Sequence, residues 1–492
     1  MSPDTRAAIA FSRFGLGITP RGLNAATGDA RAALLAELTS PPALSMSLSD
    51  VQRDLGFSTA LPPTPELLTQ LAAYNRARKE RRELKAQTQG TVQVSHPIAT
   101  SDMAGDRAEN GMPKVASKPA PPVMDDQRLP QAVSFAEVAA RLKVWGDARI
   151  GFHERLVMFW ANHFAVSVDK GLPVRLLAGA YEREAIRPHI TGRFRDLVLA
   201  AERHPAMQVY LDNDASIGPN ARANRNGRRG LNENLAREIL ELHTLGVNGG
   251  YTQADVTRFA KVITGWGIDR SGQGDGFRFN PNAHEPGPQT IMGKTYADDG
   301  EAQGVRVLED LTRHPATAKH IATKLVRHFV SDQPPPALVK RVSQRFLETD
   351  GDLNAVYAAL ITAEESWSAP RAKLRPPQEY VIASLRALDT PIQPQRFLQT
   401  LRVLGQPLWQ PPGPNGFSDL ASVWATPEGL NNRLDLAYQL SERLAERTDP
   451  RLFAEERLKG LISETTRRSV ALAETRPQGL ALVLLSPEFM RR

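Results

Sequence analysis

From Ser134 onward, apolar residues recur every three to four positions in segment after segment, and this helical period constrains the 492-residue chain more than any other feature. Ser134 and Glu137 have the spacing of a capping box, and the apolar pattern continues from them toward Phe164. Further helices are predicted over 173–187, 194–204, 232–245, 253–264, 315–330, 336–347, 353–363, 376–388, 394–404, 430–446 and 454–462. Strand signals are scarce. The best is a short hairpin pairing 277–279 with 289–292. The fold class expected is therefore mainly α, either one large multi-helical domain or two closely packed helical subdomains.

Composition breaks that pattern once. Residues 1–77 read as short helices packing on the main body, one of them spanning 31–38 and capped by Asp29. A charge-dense run at 78–85 leads into a polar, proline-bearing stretch that buries too little apolar surface to offset its ordering entropy. Residues 78–133 are thus expected to be a disordered or loosely ordered insertion. The main helical domain follows at 134–492, with a subdivision near 370.

The chain has no cysteine, which excludes disulfides, thiolate metal sites and cysteine nucleophiles, so a divalent metal would need histidine and carboxylate ligands. The ten histidines are the short list. A net charge of +7 comes from an arginine-rich composition in which acid and base alternate, and no nucleic-acid motif accompanies it, so no nucleic-acid partner is expected. No apolar run is long enough for a membrane span. The first twenty residues lack the basic and apolar regions of a signal peptide, making the cytoplasm the default expectation.

The densest polar motif is the helix led by Asn232. At about 100° per residue, Asn234, Arg237, Glu238 and Glu241 share one face, while His243 falls on the opposite, apolar arc. Two readings stand. The face is solvated and carries an Arg237–Glu241 ion pair, or Glu238 and Glu241 form a carboxylate pair for metal binding or general acid/base work. Arg222, Arg225, Arg228 and Arg229 precede this helix, where Arg228, Arg229 and Asn232 can bind an anion at its N-terminus. His163 lies inside the apolar stripe of 152–164, so with His243 it is either a satisfied core histidine or half of a metal site. His284, beside Glu285 in a Pro/Gly-rich loop, is the third candidate ligand. Asp212 and Ser216, in a turn rich in Asp and Asn, are candidate nucleophiles or ligands, although Asx turns explain them equally well.

These motifs carry a resemblance. FSRFGLG, FWANHFAVS, YLDNDASIGPN, GLNENLAREILELHTLGVNGGYTQADV, TGW, HEPGPQTIMG, KLVRHFV, LGQPLWQPPGPNGF and LLSPEFMRR together resemble the large bacterial family catalogued as domain of unknown function 1800. The resemblance implies a soluble, predominantly helical protein and supplies no established activity. Genes of that family often accompany those of a sulfatase-like uncharacterised family exported by the twin-arginine route. A companion protein of that kind, and export with it, are thereby implied. Gln289 stands where the family more usually has lysine, which weakens an anion site in that loop.

Two functions follow as expectations. One is a hydrolase or phosphoester-type enzyme, with a cleft built from Asn232, Asn234, Arg237, Glu238 and Glu241 and from His163, His243 and His284. The other is a non-catalytic partner or scaffold for the companion, in which the same polar motif is a buried structural network.

Overall fold

The structure, a computed structural model, describes residues 1–20, 28–39, 61–90, 128–225, 227, 230–272, 274–368 and 370–492. It is mainly α. Proline sets many helix starts: Pro205, Pro315, Pro336, Pro377, Pro394, Pro427 and Pro450 each occupy a first turn, where the missing N–H would have had no intrahelical partner. His204 and His314 cap the two helices they precede, their Nδ1 atoms accepting from the N–H groups of Ala206 and Ala316 at 3.1 Å. Asp29 caps Ala30–Thr39 through Oδ1.

Two apolar clusters form the interior. The first gathers Phe11, Phe152, Trp160, Phe194, Ile239 and Leu325 among many others and ends in the chain at Trp367. The second begins at Tyr380 and includes Phe397, Leu440 and Leu480, joined by Leu16, Val138 and Trp145 from the N-terminal half. Charge is buried at the seam between them. Glu379 lies 2.9 Å from Arg155 and 2.8 Å from Arg492, and His328 Nδ1 lies 2.6 Å from Asp419. Buried charges are tolerated only when paired in this way.

Three expectations need correction. The edges of the 78–133 segment are helical: Thr64–Gly90 runs through the charge-dense stretch, and Arg128–Asp147 starts ahead of Ser134. Arg, Lys, Glu and Ala are strong helix formers, and Lys79 and Glu83 pair at i, i+4. Residues 91–127 lie outside the described residues. Second, the expected strands exist but do not pair with each other. Phe277–Phe279 pairs with Trp266–Ile268, and Gln289–Ile291 pairs with Lys294–Tyr296. The second hairpin turns through Met292 and Gly293, both at positive φ, which is the two-residue loop that suits strand twist. Third, the helix at 232–245 is not regular. Asn234–Glu238 is α-helical, and Ile239–His243 continues as a π turn. Among the described residues, no helix is long and apolar enough to cross a membrane.

Candidate active site

The π turn decides the geometry of the polar motif. Its i→i+5 closure advances each residue by about 80° rather than about 100°, placing His243 roughly 40° around the helix from Glu238 instead of roughly 140°. Thr244 seals the turn by donating its hydroxyl to the Ile239 carbonyl at 2.6 Å. The histidine and the carboxylate, which a regular helix would separate, thereby come within electrostatic reach of each other.

The other side chains of the motif sort into two roles. Asn232 lies one residue ahead of the cap position, Glu233, and forms an Asx turn instead of the expected cap, its Oδ1 accepting from the Asn234 N–H at 2.8 Å, while the Asn234 side chain is exposed. Arg237 does not pair with Glu241 as expected. It turns back to Glu233 at 2.9 Å and donates to Gln253 at 3.0 Å, because a carboxylate one turn toward the helix N-terminus is the better-oriented partner. Glu241 accepts from the Tyr251 hydroxyl at 3.4 Å. Glu238 is the exception: it is half-buried, and among the described residues its carboxylate takes no hydrogen bond or ion pair. Burial raises its carboxyl above the usual carboxylate range. The charges of Glu241 and Glu202 add to that rise, and those of His243 and Arg237 oppose it.

Behind Glu238 lies a sealed pair. His243 Nδ1 sits 2.8 Å from Glu202 Oε1, with both side chains fully buried. The approach is not aligned as a hydrogen bond, and both carboxylate oxygens and both imidazole nitrogens have no other partner. His163 packs against His243 with ring centroids 6.0 Å apart, and its Nε2 donates to the His243 carbonyl at 3.1 Å. Burial, then the charges of Lys324, His243 and His320, hold His163 well below the ordinary histidine range, so the ring is neutral with Nδ1 unpartnered.

A cleft of about 990 Å³ has Ser167, Asp169, Lys170, Tyr210, Gln410 and Arg433 in its lining, and Glu238, which does not line it, is linked to it through Tyr210. Three of the sequence motifs converge here. Val168 donates its N–H to the Trp409 carbonyl, Gln410 donates to Asp169, and Lys170 Nζ lies 2.5 Å from Asp212. Asp212 adopts a left-handed backbone with φ 57, a region that Asp tolerates, and so leans toward Lys170. Tyr210 connects cleft and carboxylate. Burial, then the charges of Glu238 and Asp169, push its phenol up to about 12.

The remaining candidates are elsewhere. Arg228 and Arg229 lie outside the described residues, and Arg222 and Arg225 are exposed. Ser216 accepts the Asn232 N–H at 3.0 Å, and Glu285 binds Asn220 and Thr264, so both are structural. His284 does not join His163 and His243. Its partners are the Thr264 carbonyl at 3.0 Å, Asp298 at 3.5 Å and the Phe279 ring. The expected three-histidine set is thus divided between two places. Among the described residues no three His, Asp or Glu side chains group so as to hold a metal ion.

The sequence reading missed Glu202, Tyr210 and the neighbouring His320 and Lys324. Glu202 left a signal, for at about 100° per residue it falls at the edge of the Phe194, Leu197, Val198 and Ala201 face, where an unpaired carboxylate would be costly.

The fold and site define a mainly α protein in which three sequence motifs meet at one cleft of mixed charge, with a buried carboxylate–histidine pair near Glu238. The chain belongs to the family described as Protein of unknown function (DUF1800), whose sequence profile matches residues 9–491. No curated protein and no solved structure matches the chain.

Proposed function

We propose that the protein is a hydrolase of the phosphoester or related ester type that uses Glu238 as its general acid/base. The observation carrying this reading is that Glu238 is half-buried, unpartnered among the described residues, held toward its protonated form, and near enough to cleft-lining Tyr210 for its charge to raise that phenol. A surface glutamate has no such combination, whereas a proton carrier needs a carboxyl free of permanent partners with its affinity tuned toward neutrality. In the reaction the Glu238 carboxylate takes a proton from water as its oxygen attacks the ester centre, then returns that proton to the leaving oxygen. Lys170, Arg402 and Arg433 line the cleft and supply positive charge for an anionic substrate. The sealed His243–Glu202 pair sets the local field behind Glu238 and does not touch the substrate.

The test is hydrolysis of aryl phosphates, aryl sulfates and carboxylic esters by wild type and Glu238→Gln. Loss of about 100-fold or more in kcat, the usual worth of a positioned acid/base, supports the reading. Equal rates in the two proteins refute it.

A second reading, a partner or scaffold protein for a sulfatase-like companion, is favoured by one feature. Leu430, Leu434 and Tyr438 form an exposed apolar stripe at i, i+4, i+8 on the Pro427–Glu442 helix, with exposed Val403 alongside, where Asn432 holds its carbonyl. Apolar side chains grouped on one exposed face mark docking surfaces more often than scattered ones do.

A further inference from the structure

A cavity of about 80 Å³ lies at the seam of the two apolar clusters and shares Pro411 and Phe417 with the wall of the proposed cleft. At about 12 Å³ for each water position, it has room for roughly six waters. Most of its wall is apolar, with Trp145, Met158, Tyr181, Leu408 and Trp409 among the lining residues. The wall is firmly held. Asn162 donates to the Phe417 carbonyl at 2.8 Å and accepts the Phe417 N–H at 2.7 Å, which pins the LGQPLWQPPGPNGF segment to the Phe152–His163 helix. Trp409 Nε1 donates to Glu182 at 3.2 Å, and the Arg141 guanidinium lies 4.8 Å from the centre of its ring.

Four polar side chains in this lining keep unused hydrogen-bonding capacity among the described residues. Glu379 is held through Oε2, by Arg155 at 2.9 Å and Arg492 at 2.8 Å, and Asp419 through Oδ1, by His328 at 2.6 Å. The second oxygen of each carboxylate takes no hydrogen bond and is not sealed in the core; Glu379 Oε1 has only the His328 ring near it, at 3.9 Å. The Gln378 side chain has no partner. Gln406 uses its Oε1 to accept the Gln378 N–H at 2.8 Å, which leaves its amide NH₂ free. Burial alone would raise both carboxyls. Arg155 and Arg492 more than offset it at Glu379, as do His328, Arg492 and Lys373 at Asp419, so both are ionised and already answered by fixed cations.

This set of groups discriminates among ligands. An oxyanion only accepts hydrogen bonds and would face two ionised carboxylates. An organic ammonium only donates, so it leaves the NH₂ groups of Gln378 and Gln406 unmatched, and it meets the positive charge of Arg155, Arg492 and Lys373. A hydroxyl does both, donating to a carboxylate oxygen and accepting from an amide. We propose that the cavity binds a neutral polyhydroxylated ligand, a single sugar residue or a polyol of similar size. Its hydroxyls meet Glu379, Asp419, Gln378 and Gln406, and its C–H face packs on the aromatic wall, the usual division of a small-ligand site into apolar lining and a few placed polar groups. No bond is made or broken, and the site does not depend on Glu238.

The test is saturation-transfer NMR of the full-length protein with glycerol, myo-inositol, glucose, galactose and mannose, and with ethylammonium and acetate as charged controls. A ligand of this size is expected to bind with a Kd of about 1 mM, so each probe is raised to about 50 mM. Transfer to one or more of the hydroxylated probes and to neither charged probe is the expected result, with glycerol or inositol marking a polyol site and a hexose marking a sugar site. Gln378→Ala should weaken that binding by about fivefold, the worth of one hydrogen bond. Its side chain has no partner in the protein, so the replacement leaves the fold intact. No transfer to any hydroxylated probe, transfer to ethylammonium or acetate in their place, or an affinity unchanged in Gln378→Ala overturns the proposal.

Discussion

Replacing Glu154 by glutamine should remove a specific, pH-dependent part of the stability. Glu154 is fully buried in the Phe152–His163 helix and receives two bonds from Arg187, at 2.5 and 2.8 Å. Burial alone would raise its carboxyl. Arg187 and His153 more than offset that and leave it at about 2, against an ordinary value of 4.5. Because the folded form holds the proton more weakly than the unfolded chain, the contribution is fully present above pH 4.5 and drains away as pH falls toward 2. A shift of that size corresponds to about 3 kcal/mol, in line with the cost of breaking a buried ion pair. Urea unfolding of wild type and Glu154→Gln across this window is the assay. Wild type should lead by about 3 kcal/mol near neutrality, and the gap should close in acid, where a protonated Glu154 resembles glutamine. A gap that is absent, or that stays constant with pH, would refute the reasoning.

Two further outcomes follow from the same structure. Glu202→Gln should destabilise the protein by about 3 kcal/mol or more, because His243 loses the carboxylate beside it in a sealed interior. In the folded variant the Glu238 titration should move to lower pH, since one of the negative charges raising it is gone; an unchanged midpoint would sever the link between the pair and the site. Leu434→Asp lies on an exposed helix face and should leave thermal stability within about 0.5 kcal/mol of wild type. If the partner reading holds, this change abolishes co-purification with the sulfatase-like companion; equal recovery would count against that reading.

Much of the fold was legible because its helices announce themselves. Proline at the first turn and polar caps mark the starts at 315, 336, 353, 394 and elsewhere, and the apolar period fills the bodies. Glu301–Arg313 was passed over for a physical reason: its buried face carries Gln303, Gly304 and Thr312 among Val307, Leu308 and Leu311, which dilutes the pattern. Strand partners were misread because runs of three residues fix no register, and the positive-φ turn at Met292 and Gly293 outweighed the choice made from composition. At the site, Glu238 and His243 were recognisable as residue types. Their relation was not, since a π turn has no sequence signature comparable to a cap, and one such turn reverses which side chains share a face.

The central claim is that Glu238 is a free proton carrier. Selective ¹³C labelling of glutamate side chains, with the Glu238 signal assigned by its loss in Glu238→Gln, measures it without knowledge of the substrate. The account predicts a midpoint above the ordinary glutamate value of about 4.3. A midpoint at or below that value would contradict it, because the carboxylate would then be an ordinary solvated charge.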